Sequence, residues 1–522
     1  MNSITPFATL AAARASTDAP ISARQGQGLG LFLLLHVLLW TLVPACMYHN
    51  PPRDSLEGLA WGHMWLTGYE KHPFLAPWLT ALFTDLFGAV GWPIYLLSQL
   101  SVALCLATVY RIAVAMVAPA SALLAVMLLD GVYYYSVGAI PFNPNVAMLP
   151  TWALAIWAFR EALLSPDGWR WSRAGGLAGL AALAKYESAV LFIVMLAALV
   201  VLPEGRRAVR GRAFWLGIAA ALLVVSPNLL WLARHDFAPF HYAMSNLALE
   251  DNLYTEPVAP SQSGLYPPLL FLLEQLGALL PLVLLYLPFV RWRDRDFSFQ
   301  SFDRRFVMLM AGGPLLVTVL FAAAFKATLI ARWGFPFFSL AGLALVLAFP
   351  PVLDRQAWRR FLAALAALTL LEVGGCYWAI FVRPLQTNTA PYSIAYPGRA
   401  MSDRVAAYWH GRFAAPLRYV GGDRWVVSTL VAFAPEKPVP YFEASLPMSP
   451  WLDEADLKHR GAVFVEPAGR TALIESIRRR YPALRDETVM SFAQHTAAAV
   501  PPVRLWVALL PPAPGNVEGG LP

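Results

Sequence analysis

Charge is the scarce ingredient of this 522-residue chain: Asp, Glu, Lys and Arg make up only 14% of it, against ~25% in an ordinary soluble domain. With hydrophobic residues at 58%, the soluble globular class is excluded and the chain reads as an integral membrane protein. Cysteine is nearly missing as well. Its three copies, Cys46, Cys105 and Cys376, all fall inside apolar runs, which argues against a disulfide framework or a thiolate metal site and leaves small packing residues. A dinucleotide fingerprint is lacking too, since nothing of that pattern follows Gly421-Gly422-Asp423, and the stretch reads as a turn. Nor is there a basic patch fit for nucleic acid. The net charge of +7 is spread over short loops between apolar runs, which is topology information.

Long hydrophobic runs are what the chain has in abundance. A helix crossing ~30 Å of hydrocarbon at ~1.5 Å per residue needs ~20 apolar residues. Spans are expected near 29–48, 91–110, 117–136, 144–163, 213–232, 264–290, 306–325, 333–350 and 361–381. Residues 174–202 are too long for one span and short for two, with Lys185, Tyr186 and Glu187 at the middle. An ionisable trio in mid-bilayer is costly, so a hairpin of two short helices with its tip at the outer surface is expected, which brings the total to eleven. The run 29–48 lacks a small-residue cleavage site and is expected to stay as the first span. Alternate loops divide the basic residues unevenly, with 18 arginines on one side and six Lys or Arg on the other. By the positive-inside rule the arginine-rich set is cytoplasmic, which puts the 50–78 loop, the Lys185 tip and everything past 382 outside.

Residues 76–88 are apolar, aromatic and short, and predict a helix lying in the interface. Past residue 382 charge rises, and β-type runs at 417–420, 439–442, 462–465 and 503–509 alternate with helical stretches such as 470–480. The expected organisation is therefore a disordered cytoplasmic tail (1–28), a membrane domain (29–381) with an outer loop (49–90), and a small outer α/β domain (382–522).

The chemistry concentrates in the first outer loop. Asp54 and Glu57 stand three apart, which on a helix puts both carboxylates on one face with Trp61 a turn further; the competing reading is a capping box. Two acids beside an aromatic platform could hold a polar substrate and take its proton. Tyr69-Glu70-Lys71-His72-Pro73 follows, where lysine supplies a compact positive charge and histidine a donor suited to a lipid phosphate. Tyr134 with Asn143 and Asn145, then Lys185, Tyr186 and Glu187, and finally Lys326 and Arg332, fall in later outer loops at the same expected level. Each has a plainer reading as aromatic belt, helix start, local ion pair or interfacial anchor.

Taken together, Asp-x-x-Glu after the first span, Tyr-x-Lys-His-Pro-x-x-x-x-Trp (69–78), Phe-Asn-x-Asn (142–145) and Gly-Leu-Ala-x-Leu-x-Lys-Tyr (179–186) resemble the dolichyl-phosphate-mannose-protein mannosyltransferase-like family. More narrowly they are similar to its bacterial members that add aminoarabinose or galacturonic acid to lipid A or lipopolysaccharide core. The resemblance covers about residues 29–380. It implies a GT-C fold: a polytopic α-helical membrane protein of about 11 spans, here with a C-terminal α/β periplasmic domain. It also implies a glycosyltransferase of the bacterial inner membrane, moving a sugar from a polyprenyl-phosphate donor to a lipid or glycan acceptor. By this resemblance Asp54 is the catalytic acidic residue, Lys71 holds the lipid phosphate, and Arg332 is the candidate for a second phosphate contact. Many relatives carry a further aspartate where this chain has Asn143 and Asn145, which puts a two-carboxylate mechanism in question. The sequence requires no cofactor, though Asp54 and Glu57 admit a divalent metal. A transporter or flippase of a polar or lipid-linked solute is the rival class.

Overall fold

The computed structural model describes residues 23–247, 266–290, 300–325, 327 and 329–513. The expected tail 1–28 lies largely outside this set, as does Lys326. The chain opens with α1 (Ala23–Met47), followed by two short helices of the first loop, α2 (Arg53–Gly62) and α3 (Leu75–Phe87). Then come α4 (Trp92–Ala113), α5 (Pro119–Met127), α6 (Pro144–Leu164), α7 (Gly168–Ala184), α8 (Ala189–Val201) and α9 (Arg212–Arg234). The helical part closes with α10 (Tyr266–Tyr286), α11 (Phe302–Phe325), α12 (Ala341–Ala348) and α13 (Arg355–Tyr377). Seven helices among the described residues are long and apolar enough to cross a membrane, or nine when two bent pairs are each taken as a span. The short helices expected across 174–202 are α7 and α8, which lie on either side of Lys185–Ser188.

Two expected spans are broken rather than straight. Residues 119–131 and 133–139 meet at 93°, and residues 331–338 and 341–348 at 55°. The first break falls where Val132 is extended, and Gly131 there packs so closely on Leu282 and Leu285 of α10 that an added Cβ would lie 2.7 Å from Leu285. The second follows a 3₁₀ turn containing Gly334 and Pro336. Irregular backbone at such depth survives where its polar groups are met by protein, and these two breaks meet each other: the Tyr134 hydroxyl donates to the Ala331 carbonyl at 2.7 Å and to Gln275 at 2.9 Å.

Small residues let other helices close in. A Cβ on Gly175 of α7 would stand 1.8 Å from the Gly217 carbonyl of α9, a near-backbone contact of the kind that replaces the hydrophobic effect between helices in lipid. Asn143 caps α6 by accepting from the Asn145 and Val146 amides, which is its helix-start role.

The C-terminal part contains α14 (Gly398–His410), β1 (Tyr419–Gly422), α15 (Arg424–Phe433), β2 (Val439–Phe442), β3 (Ala462–Pro467), α16 (Thr471–Arg480), β4 (Arg485–Phe492) and β5 (Val503–Leu510). The sheet order is β2-β1-β3-β5-β4, parallel across β2, β1 and β3 and antiparallel at β5 and β4. Gly421-Gly422-Asp423 is therefore not a turn. It is the end of a central strand running into a helix. Gly422 holds φ +125°, and a Cβ there would sit 1.9 Å from the Val465 carbonyl; Asp423 caps α15. One hydrophobic core joins this domain to the first loop, gathering Trp61, Tyr69 and Phe74 with Val405, Val427 and Phe442.

Candidate active site

The short helix α2 follows Pro52, whose ring fixes the φ of the residue before the first turn. No side chain caps it, so the capping-box reading of Asp54 and Glu57 does not hold. Its Ser55 hydroxyl donates to the Phe142 carbonyl at 3.0 Å, pinning the loop to the turn before α6. From this base the two carboxylates diverge. Asp54, with its side chain 35% exposed, meets Arg332 at 3.2 Å. Glu57 is buried, and one oxygen takes both Lys71 at 2.7 Å and Arg424 at 2.6 Å. They are not a facing pair, as the shared-face expectation had them, but members of two adjoining ion pairs.

Burial alone would raise the Glu57 carboxyl, but the charges and hydrogen bonds of Lys71 and Arg424 outweigh it and hold it at about 2. Such a carboxylate is a poor proton acceptor at neutral pH. Glu70 is buried too, with Arg424 2.6 Å away; burial pushes its carboxyl up against the opposing charges of Arg424 and Lys71. Lys71 stands beside three aromatic rings, Trp61 at 5.5 Å and Tyr242 and Trp425 each at 5.6 Å. Trp61 stacks on Tyr69, whose hydroxyl donates to the Trp61 carbonyl at 2.9 Å. Those two residues thus build the floor beneath Lys71.

His72 lies among cations. Burial, followed by the charges of Lys185, Lys71 and Arg332, holds its imidazole well below the usual value, so at neutral pH it is an uncharged donor. Lys185 bonds Asn145 at 2.7 Å, pairs with Glu187, and lies 5.9 Å from the Trp333 ring. The Tyr186 hydroxyl donates to Asn228 at 3.1 Å. Beside Arg332 opens a cavity of about 510 Å³ lined by Tyr133, Tyr134, Glu274, Ala278, Ile330 and Ala331.

The structure thus brings Asp54, Glu57, Trp61, Tyr69, Lys71, His72, Lys185 and Arg332 to one end of the bundle, with Tyr134 on the adjoining cavity wall. Asn145, Tyr186 and Glu187 support that set through local bonds. Sequence reading missed Arg424, Trp425 and Glu274. Glu274 carried a readable signal, an acid inside an apolar span, and Arg424 follows the carboxyl end of a parallel strand, where α/β sheets place their sites. Among the described residues no group of three or more His, Cys, Asp or Glu side chains has the arrangement of a metal site. Where Glu57 and Glu70 converge, the guanidinium of Arg424 fills the space between them.

The fold defines a class: multi-span membrane proteins of the GT-C type. Residues 71–231 match the model of the family described as dolichyl-phosphate-mannose-protein mannosyltransferase. The chain has the fold of ArnT from Cupriavidus metallidurans. To the structure of that protein bound to undecaprenyl phosphate it is 14% identical with a TM-score of 0.57, over 95% of this chain and 99% of ArnT. To the apo state it is 15% identical at 0.56, over 94% and 98%. No curated protein matches the chain by sequence. The chain shares its fold with ArnT, and its residues 71–231 are similar to the mannosyltransferase family model.

Proposed function

We propose that this protein transfers a sugar from a polyprenyl-phosphate donor to a lipid or glycan acceptor, lipid A or lipopolysaccharide among them, on the outer face of a bacterial inner membrane. The observation that carries this reading is the half-open Asp54–Arg332 pair at the rim of the Tyr134 cavity, with Lys71, His72 and Lys185 close by. The solved relative bound to undecaprenyl phosphate supports the donor class. The bias of arginines among the loops supports an outer, periplasmic position for the site.

In this reaction the acceptor oxygen attacks the anomeric carbon. Asp54 takes the proton of the acceptor hydroxyl, the new C–O bond forms, and the bond from the anomeric carbon to the phosphate oxygen breaks. The leaving phosphate carries away the electron pair, so the largest demand on the site is to stabilise growing negative charge. Arg332 and Lys71 supply positive charge, and His72 a neutral hydrogen-bond donor. The mixed apolar and tyrosine lining of the cavity suits the first isoprene units of the carrier. Glu57 is assigned to holding Lys71, since its carboxylate is too weak a base for proton removal.

Incubating the purified chain with radiolabelled polyprenyl-phosphate sugars and an envelope lipid extract tests the reading. Label should move to the acceptor and leave free polyprenyl phosphate. Net solute flux across proteoliposomes without such transfer would establish the transporter instead. Full transfer in EDTA is expected, because Arg332 already pairs with Asp54, and Lys71 and Arg424 with Glu57, the two acids at which a divalent cation would bind.

A further inference from the structure

The geometry points to Arg424 as the positioning residue through which the C-terminal domain sets the charge of the phosphate-binding lysine. The inference rests on the reading that Lys71 receives the donor phosphate.

Arg424 is buried, and one of its nitrogens lies 2.6 Å from a carboxylate oxygen of each of Glu57 and Glu70, residues more than 350 positions away in the chain. Glu57 shares the same oxygen with Lys71. The cluster holds two acids and two cations and is balanced. Remove Arg424, and Lys71 alone faces two buried carboxylates, leaving one net negative charge where a phosphate must arrive. A buried ion that loses its partner is strongly disfavoured, and the remaining lysine would be engaged in neutralising its own neighbours.

The domain is built to hold this arginine in place. Asp423 accepts from the Trp425 and Val426 amides at 3.0 and 2.9 Å, and Glu443 accepts from the Arg424 amide at 3.1 Å. Arg470 clamps both acids from behind, 2.7 Å from Asp423 and 3.2 Å from Glu443. The next residue, Trp425, is one of the rings around Lys71. Two consecutive side chains at the start of α15 therefore act on the lysine: one balances its acids, the other flanks its ammonium.

The test is the affinity of the purified full chain for undecaprenyl phosphate. R424M should raise Kd by about tenfold or more, as expected when one member of a buried charge set is lost. The double variant R424M/E70Q restores the charge balance and should recover to within about threefold of wild type; R424K should lie between. E70Q alone leaves the cluster with an added net positive charge and should tighten binding, a reading available even if R424M fails to fold. A packing role would leave the double variant as weak as the single. R424M binding like wild type, no recovery in the double variant, or weaker binding by E70Q overturns the inference. K71M binding as tightly as wild type, or no binding by wild type, overturns the Lys71 reading beneath it.

Discussion

The Arg332 guanidinium lies 3.2 Å from the Asp54 carboxylate, 278 residues away in the chain. Both side chains are a third or more exposed, so their pairing contributes only about 0–1 kcal/mol to stability. The pair is cheap to open, as the proposed transfer requires.

Asp54→Asn should lower turnover about 10²–10⁴-fold, the usual worth of general-base assistance, while the melting temperature stays close to wild type and the Kd for undecaprenyl phosphate does not rise, since Arg332 keeps its charge and loses a competing carboxylate. Steady-state transfer rates set beside a thermal melt check this. Comparable turnover in the variant removes Asp54 from the chemistry.

Glu57→Gln should behave differently. It loosens Lys71 and should act mainly on KM for the donor, with kcat reduced less than in Asp54→Asn. The Glu57 carboxyl is held at about 2 in the fold, below an unfolded value of ~4.3. Its contribution to stability is therefore full above pH ~4.3 and is lost as pH falls toward 2. Melting curves of wild type and variant should differ at pH 6 and converge toward pH 2.

In the C-terminal domain the sign reverses. Glu466 is 0% exposed, and burial, with Asp423 and Glu443 nearby, pushes its carboxyl up to about 9. The folded state thus holds a proton that the unfolded chain releases above pH ~4.3. That contribution is full below ~4.3 and is lost as pH rises through 9. Glu466→Gln should raise the melting temperature at pH 8 and change it little at pH 4. A variant less stable at both pH values contradicts this.

Gly62 closes α2 against α3, where an added Cβ would sit 2.2 Å from the Pro77 carbonyl and 2.8 Å from Ala81. Gly62→Ala should cost about 1–3 kcal/mol by overpacking and displace the helix that carries Asp54 and Glu57. A lower melting temperature together with a raised donor KM is the expected result.

The bilayer made much of this architecture readable. Apolar runs of fixed length mark α1, α4, α6, α9, α10, α11 and α13, because hydrocarbon thickness sets helix length. The two broken spans were not readable. Hydropathy reports that 117–136 and 333–350 are apolar, not that the backbone turns at Val132 and Leu340. Strand β4 escaped notice because it opens on Arg485, Asp486 and Glu487, charges suited to an exposed edge. Asp54, Lys71 and His72 stood out as polar groups beside a span. Arg424 did not, since its meaning lies in a contact between domains that no local pattern encodes.

The central claim is best tested by mass spectrometry of envelope lipids and glycans from a deletion strain complemented with either wild type or Asp54→Asn. The account predicts that deletion removes one sugar increment from an envelope acceptor and builds up the polyprenyl-phosphate sugar, that wild type reverses both, and that Asp54→Asn reverses neither. An unchanged acceptor in the deletion strain, or full restoration by Asp54→Asn, would contradict it.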